Sequence, residues 1–391
     1  MNQRYYSLDV FRGATVAFMI LVNNQAGASY APLDHAVWHG CTPTDLVFPF
    51  FLFAVGNAMA FVMPRLQQGS TGVFLQKVFK RAALIFLIGL FLNWSPFFRW
   101  NGDSLVVKGW TWVNPVSGAV TGIRILGVLQ RIALCYLFAS LLLYFFKPRM
   151  AYVISAVILL LYWVLCFTLG SSADPYSITG YFGTAIDIKI LGEPHMYHGE
   201  GMAFDPEGIT STLPAIVQVV AGYFAGRYIQ QNGKSWQMVS HLFIAGCILV
   251  FAGFCWDLSF PINKKIWTSS YVLYTSGLGI LTLAMCIYCI EFKEWRGAWS
   301  RFFDVFGKNP LFIFVLSGFL PRVLALLRIP NGLNSTGNAV YTSPFGWFYL
   351  HICKPAFNNP KNASLLYAIS LVLLYWSIGY IMHKRKIYIR V

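Results

Sequence analysis

Apolar stretches of roughly 17 to 25 residues, bounded by charges or turn residues, recur along the whole of this chain, and each is long enough to cross a bilayer as a helix. Ten can be read, near residues 8–26, 45–63, 80–96, 122–146, 150–170, 210–228, 237–256, 268–290, 309–327 and 363–382. The expected fold is therefore an all-α polytopic membrane protein with about ten transmembrane helices. Composition agrees, since of 391 residues 57% are hydrophobic and only 11% charged, whereas a soluble domain spends about a quarter of its residues on charge. The gaps between stretches leave no room for a separate soluble core, so residues 1–391 read as a single transmembrane domain.

A net charge of +15 would suggest nucleic acid in a soluble protein, but here its distribution follows the membrane. An even number of spans puts both termini on one side. The loops on that side carry seventeen Lys and Arg, from Arg4 to Arg390, against Glu291, Glu294 and Asp304, while the opposite loops carry eight against nine acids. By the positive-inside rule both termini are expected in the cytoplasm, and nucleic acid is not an expected partner. A cleaved signal peptide ending near Ala26-Gly27-Ala28 is the alternative for the amino terminus, but Asp9 and Arg12 fall where its apolar core should begin. Cys135, Cys166, Cys247, Cys286 and Cys289 lie inside expected spans and read as small core residues. A Cys41–Cys353 bridge is left open. The longer outer loops near 97–121, 171–209 and 328–362 are rich in Trp, Tyr, Gly, Pro and Asn, which suits a sugar-binding cap and equally a membrane-interface belt.

Ionisable groups inside spans cost several kcal/mol and so become functional candidates by default. Asp9 and Arg12 share one face of the first helix, either as an anchoring ion pair or as part of a site. Asn23, Asn24 and Gln25 end that helix with three carboxamides, which suggests a hydrogen-bonding pocket. In the segment from His35 to Phe53, Thr42 or Thr44 can cap the second helix, Pro43 suits its first turn and Asp45 complements its positive end. His35 and His39 are left just outside the membrane, as ordinary surface histidines or as groups that accept and return a proton. Arg124 and Arg131 lie two turns apart on one face of the fourth expected helix, facing either fixed carboxylates such as Asp9 and Asp45 or a phosphate-bearing ligand. Asp205 and Glu207 open the sixth, where they stabilise its N-terminus or grip sugar hydroxyls. His195 and His198 are too few ligands in a Gly-rich loop for a metal site, and no metal is expected.

These motifs resemble one family. Arg4-Tyr-Tyr-Ser7-Leu-Asp9-Val-Phe-Arg12-Gly13, Val22-Asn23 and His35-Ala-Val-Trp38-His-Gly40-Cys-Thr42-Pro-Thr-Asp45-Leu-Val-Phe-Pro49 are similar to the opening of the heparan-α-glucosaminide N-acetyltransferase family of transmembrane acyltransferases. The resemblance continues through Gly127-Val-Leu-Gln130-Arg131, Asp205-Pro-Glu207-Gly208, Asn263-Lys264, Trp267-Thr-Ser-Ser-Tyr271 and Gly307-Lys-Asn309-Pro. It implies transfer of acetyl from cytosolic acetyl-CoA, as co-substrate, to the amine of a glucosamine-type sugar across the membrane. The family's histidine sits in a His-Ala-x-Trp-x-Gly setting, which matches His35 and not His39, and its asparagine follows a Val, which favours Asn23 over Asn24. Asn24, Asp45, Asp205, Glu207, Asn263 and Lys264 are then the expected sugar-side contacts, and Arg124 and Arg131 the contacts to acetyl-CoA. Lysosomal members carry an amino-terminal luminal domain, whereas this chain opens at its first helix, so a bacterial relative in the inner membrane is expected, in contact with membrane lipid. A homodimer is left open. An amino-sugar permease is the alternative function, because clustered polar groups in a many-helix bundle also describe a secondary transporter.

Overall fold

The computed structural model describes residues 5–113, 118–333, 337 and 339–389, so the expected inner-side cations Arg4 and Arg390 lie outside the described residues. The helices are α1 (Tyr6–Asn23), α2 (Val47–Leu66), α3 (Thr71–Trp94), α4 (Val128–Phe145), α5 (Pro148–Leu169), α6 (Phe182–Leu191), α7 (Thr212–Asn232), α8 (Trp236–Asp257), α9 (Ser269–Ile287), α10 (Ala298–Lys308), α11 (Pro310–Leu324), α12 (Pro344–Phe348) and α13 (Pro360–Lys384). A helix falls in each of the ten expected stretches. Six are long and apolar enough to cross a membrane: α2 with the turn before it, α4, α5, α8, α9 with the turn after it, and α13. The pair α10 and α11 makes a seventh only if it is counted as one broken span. Helices α1, α3 and α7 are long enough but more polar, carrying Asp9 and Arg12, Lys77, Lys80 and Arg81, and Gln218, Arg227, Gln230 and Gln231. The chain is an integral membrane protein, and helices are the form in which its backbone satisfies its own polar groups in hydrocarbon.

Burial separates the centre from the rim. Of the apolar window of α2, 67% is buried inside the bundle, against 28% for α5, α8 and α13, whose outward side chains need lipid around them. Helix α2 packs along α7, α1 along α10, α3 along α4 and α8 along α9. The first of these contacts depends on glycine. A Cβ on Gly56 would lie 1.8 Å from the Val219 carbonyl oxygen, and one on Gly222 would lie 2.0 Å from that of Phe53. Small residues that let backbones touch are the usual means of association where no hydrophobic force separates helix from lipid.

Charges join α1 to α10. Arg12 donates to Asp9 at 2.8 Å and to the Gly307 carbonyl at 2.6 Å, and Lys308 pairs with Asp9 at 3.2 Å and Asp304 at 2.9 Å. The expected anchoring pair is thus formed, and it reaches a second helix. Between α10 and α11 the axis turns by 79° at Asn309-Pro310. Pro310 suits the first turn of a new helix. The Asn309 side chain holds the corner by donating to the Ile387 carbonyl at 3.0 Å and accepting from Ile389 N at 2.8 Å.

Three antiparallel hairpins decorate the expected outer loops, β1 (Phe98–Asn101) with β2 (Ser104–Val107), β3 (Thr111–Val113) with β4 (Val120–Gly122), and β5 (Ile329–Leu333) with β6 (Ala339–Thr342). The loop before α7 contributes α6. Cys41 and Cys353 are both free thiols, so no bridge links these loops.

Candidate active site

The loop between α1 and α2 carries His35, and its path is set at Gly40. That residue has φ +100°, a backbone region that costs other residues strain, and its N–H donates to the Ile262 carbonyl at 2.7 Å. A short parallel bridge between Gly40 and Asn263 then docks the histidine-bearing loop on the loop between α8 and α9. Lys264 is placed beside His35 by this contact.

Asp45 is the hub. It is 1% exposed, and its Oδ2 accepts from Ala36 N at 3.0 Å, Thr42 N at 3.1 Å and the Thr42 hydroxyl at 3.1 Å. Its Oδ1 lies 2.6 Å from His35 Nδ1 and 3.4 Å from Lys264 Nζ. A carboxylate only accepts, so the shorter contact places a proton on Nδ1 and leaves Nε2 as the basic nitrogen of neutral His35. Lys264 Nζ is also 3.0 Å from Nδ1, because both nitrogens converge on the same oxygen. Burial lowers the pKa of Lys264, and Asp45 opposes that shift. Tyr271 fixes the hub from below, its hydroxyl donating to the Asp45 carbonyl at 2.6 Å.

A second charged group faces the first. Arg124 grips Asp205 through Nη2 at 2.6 Å and Nε at 3.1 Å, and Nη2 also bonds Glu207. Burial disfavours the Arg124 charge, but Glu207 and Asp205 outweigh it and raise its pKa. Lys265 pairs with Glu200 at 2.5 Å, donates to the Val37 carbonyl at 2.8 Å and lies over the Trp38 ring. Together His35, Asp45, Arg124, Glu207, Lys264, Lys265, Glu200, Trp38, Tyr197 and Trp267 line a cleft of about 220 Å³. Its floor is Trp267, which is 1% exposed and adopts φ +52°. A tryptophan in that region carries about 1–3 kcal/mol of backbone strain, of the kind that collects at functional sites. Beneath it the fully buried Arg131 stacks on the Trp267 ring at 5.0 Å and bonds the Gly208 carbonyl and Ser211.

The structure therefore gathers five of the sequence candidates, His35, Asp45, Arg124, Glu207 and Lys264, around one cleft, with Asp205 tied to it through Arg124. Asn263 stands behind it, accepting from Lys265 N at 2.7 Å and lying 3.4 Å from His39 Nδ1. His39 itself is not among the cleft-lining residues, and burial lowers its pKa. Asn23 is exposed at the last position of α1, Asn24 donates to the Ile20 carbonyl at 2.7 Å, and neither lines the cleft. Arg131 lies under the floor, not on the wall. His195 and His198 bond the carbonyls of Ile123 at 2.7 Å and Met196 at 3.1 Å, and no cluster suited to a metal occurs among the described residues. Sequence reading missed Lys265, Glu200, Tyr197 and Trp267 as cleft residues. For Lys265 the available signal was adjacency to Lys264, and for Trp267 its place in a matched motif.

The helices and this cleft define a polytopic membrane protein with a charged, aromatic-floored pocket between its loops. Over 98% of its length the chain is 26% identical to heparan-alpha-glucosaminide N-acetyltransferase of Homo sapiens, of which the alignment covers 59%. It is also 26% identical to the Mus musculus protein of that name, again over 98% of the chain and with 60% of that protein covered. No family model matches the chain. The chain is thus similar to these two heparan-alpha-glucosaminide N-acetyltransferases and spans about three fifths of their length.

Proposed function

We propose that this chain is a single transmembrane acyltransferase domain that moves acetyl from cytosolic acetyl-CoA to the amine of a glucosamine-type sugar on the outer side of a bacterial inner membrane. In this reading all ten stretches cross the bilayer and both termini are cytoplasmic. The excess of Lys and Arg in the terminal-side loops supports that orientation and attracts the phosphates of the donor. One observation carries the chemistry: a half-exposed His35 whose Nδ1 is held at 2.6 Å by a buried Asp45, in a cleft that also bears carboxylates and aromatic faces.

That arrangement leaves Nε2 of His35 to act. It takes the proton as the sugar amine attacks the acetyl carbonyl and the thiolate of CoA departs, the thiolate then receiving that proton. Alternatively Nε2 attacks the acetyl carbonyl first and expels the CoA thiolate, giving an acetyl-imidazolium; the amine then attacks the acetyl carbon, imidazole leaves, and the proton shed by the amine goes to the thiolate. Asp45 stabilises the imidazolium in either route. Glu207 and Lys264 are assigned the sugar side and Arg124 the CoA side, with Asp205 and Asn263 holding them from behind. Asn23 at the acetyl carbonyl, Asn24 at the sugar and Arg131 at CoA each require the site to rearrange, since none of the three lines the cleft. The test is whether purified protein releases CoA thiol from acetyl-CoA over many turnovers only when glucosamine is present, with at most one equivalent per protein released without it. No thiol release, together with uptake of free glucosamine into proteoliposomes by a His35→Ala protein, would replace the enzyme with an amino-sugar permease.

A further inference from the structure

Away from the candidate active site, α5, α7, α8 and α9 enclose a cleft of about 460 Å³. It is lined mostly by apolar side chains such as Leu159, Val220, Ala245 and Leu249, with Ser155, the hydrogen-bonded pair Tyr228 and His241, and Ser276, whose hydroxyl is buried without a partner among the described residues. Along α7 the lining runs from Val217 to Tyr228, a rise of roughly 16 Å. That is about half of a ~30 Å hydrocarbon core, the depth reached by one leaflet's acyl chain. Helices α5 and α8 are the poorly buried rim of the bundle, so the cleft lies where lipid must pack in any case.

Its terminal-side end is not apolar. Across the Phe224 ring, on which Tyr152 stacks at 3.8 Å, lies a second pocket of about 500 Å³ lined by Lys147, Arg227, Gln67, Gln230 and Gln231. Gln230 Nε2 is buried there without a partner among the described residues. The surrounding sequence adds Arg149 and Lys234 and withholds any counter-charge, for residues 104–173 and 208–256 contain no Asp or Glu. Glu291, beyond the end of α9, is taken up by Ser7 N at 2.9 Å and Arg296 at 2.9 Å. Cations and amide donors at one end and a one-leaflet apolar trough behind them match the two ends of an anionic amphiphile.

We propose that these two pockets form one binding site for an anionic phospholipid, with its phosphate between Lys147 and Arg227 and one acyl chain in the cleft between α5, α7, α8 and α9. The site is independent of the acetyl-transfer reading. It is tested by native mass spectrometry of the full chain in mild detergent, offered equal amounts of phosphatidylglycerol and phosphatidylcholine with identical chains. The wild-type protein should retain phosphatidylglycerol with a preference of about tenfold or more. Lys147→Gln/Arg227→Gln should bring the two lipids close to parity, and Ala245→Phe, which fills the trough, should lower retention of both. Each variant is compared only as a monodisperse protein, and either one alone suffices. Equal retention by the wild type, unchanged preference in the double variant, or unchanged retention in Ala245→Phe would overturn the proposal.

Discussion

His35 and His39 are four residues apart and chemically alike, yet only His35 has a buried carboxylate on Nδ1 and a ring on the cleft. Its side chain is 48% exposed, so His35→Ala should fold and still bind acetyl-CoA while acetyl transfer drops by at least about 10². His39→Ala should keep most of the activity; the check is acetyl transfer by equal amounts of folded protein. A second residue with a measurable signature is Asp187, which is 1% exposed, accepts from Ile209 N at 2.9 Å and has its pKa raised to about 7 by burial. An unfolded aspartate titrates near ~3.9, so the folded form loses ground as pH rises from there to about 7, where the unfolded chain is ionised and Asp187 still holds its proton. Melting temperature in detergent should fall across that window, and Asp187→Asn should flatten the fall; an equally steep profile in the variant would remove the assignment. Asp45 was legible in the sequence as a helix-start acid because its capping partner Thr42 is three residues away. Its bond to Lys264 was not, since no local pattern pairs residues 219 positions apart, and Asp187 drew no notice because its burial is set by the fold.

At the scale of elements, the helices announced themselves because a bilayer-length apolar run is a local signal that needs no partner. The bend at Asn309-Pro310 was not foreseen, since an apolar run on the far side of a proline reads the same whether the preceding helix is coaxial or turned away. The outer hairpins were missed for the opposite reason: strands of three to five residues carry too little alternation to separate from loop. Packing shows which of the glycines in apolar runs matter. Gly56 faces the α7 backbone itself, so no side-chain rearrangement makes room for a larger residue. Gly56→Val should cost about 1–3 kcal/mol or more, as overpacking does, seen as a lower melting temperature and earlier aggregation in detergent. A comparable change at Gly72, where nothing lies within 4 Å of an added Cβ, should be silent apart from helix propensity.

For the whole molecule, the charge asymmetry and the position of the cleft make one joint statement about sidedness. The expected outer loops carry the cleft, and the expected inner loops carry the cations, so a donor recognised by its phosphates and an acceptor recognised by carboxylates would arrive from opposite faces. Ten crossings keep the termini and the loop before α3 on the face opposite to His198; an odd number would not. A cysteine placed at His198 should therefore react with an impermeant thiol reagent added outside intact cells, while one placed at Ser70 or Lys384 should react only after lysis, each in a background lacking the exposed Cys247 and Cys255. In sealed vesicles, acetyl-CoA supplied only on the face of Lys384 should acetylate glucosamine supplied only on the face of His198. Transfer that requires both substrates on one face would leave the cleft as a site but remove the membrane-crossing step.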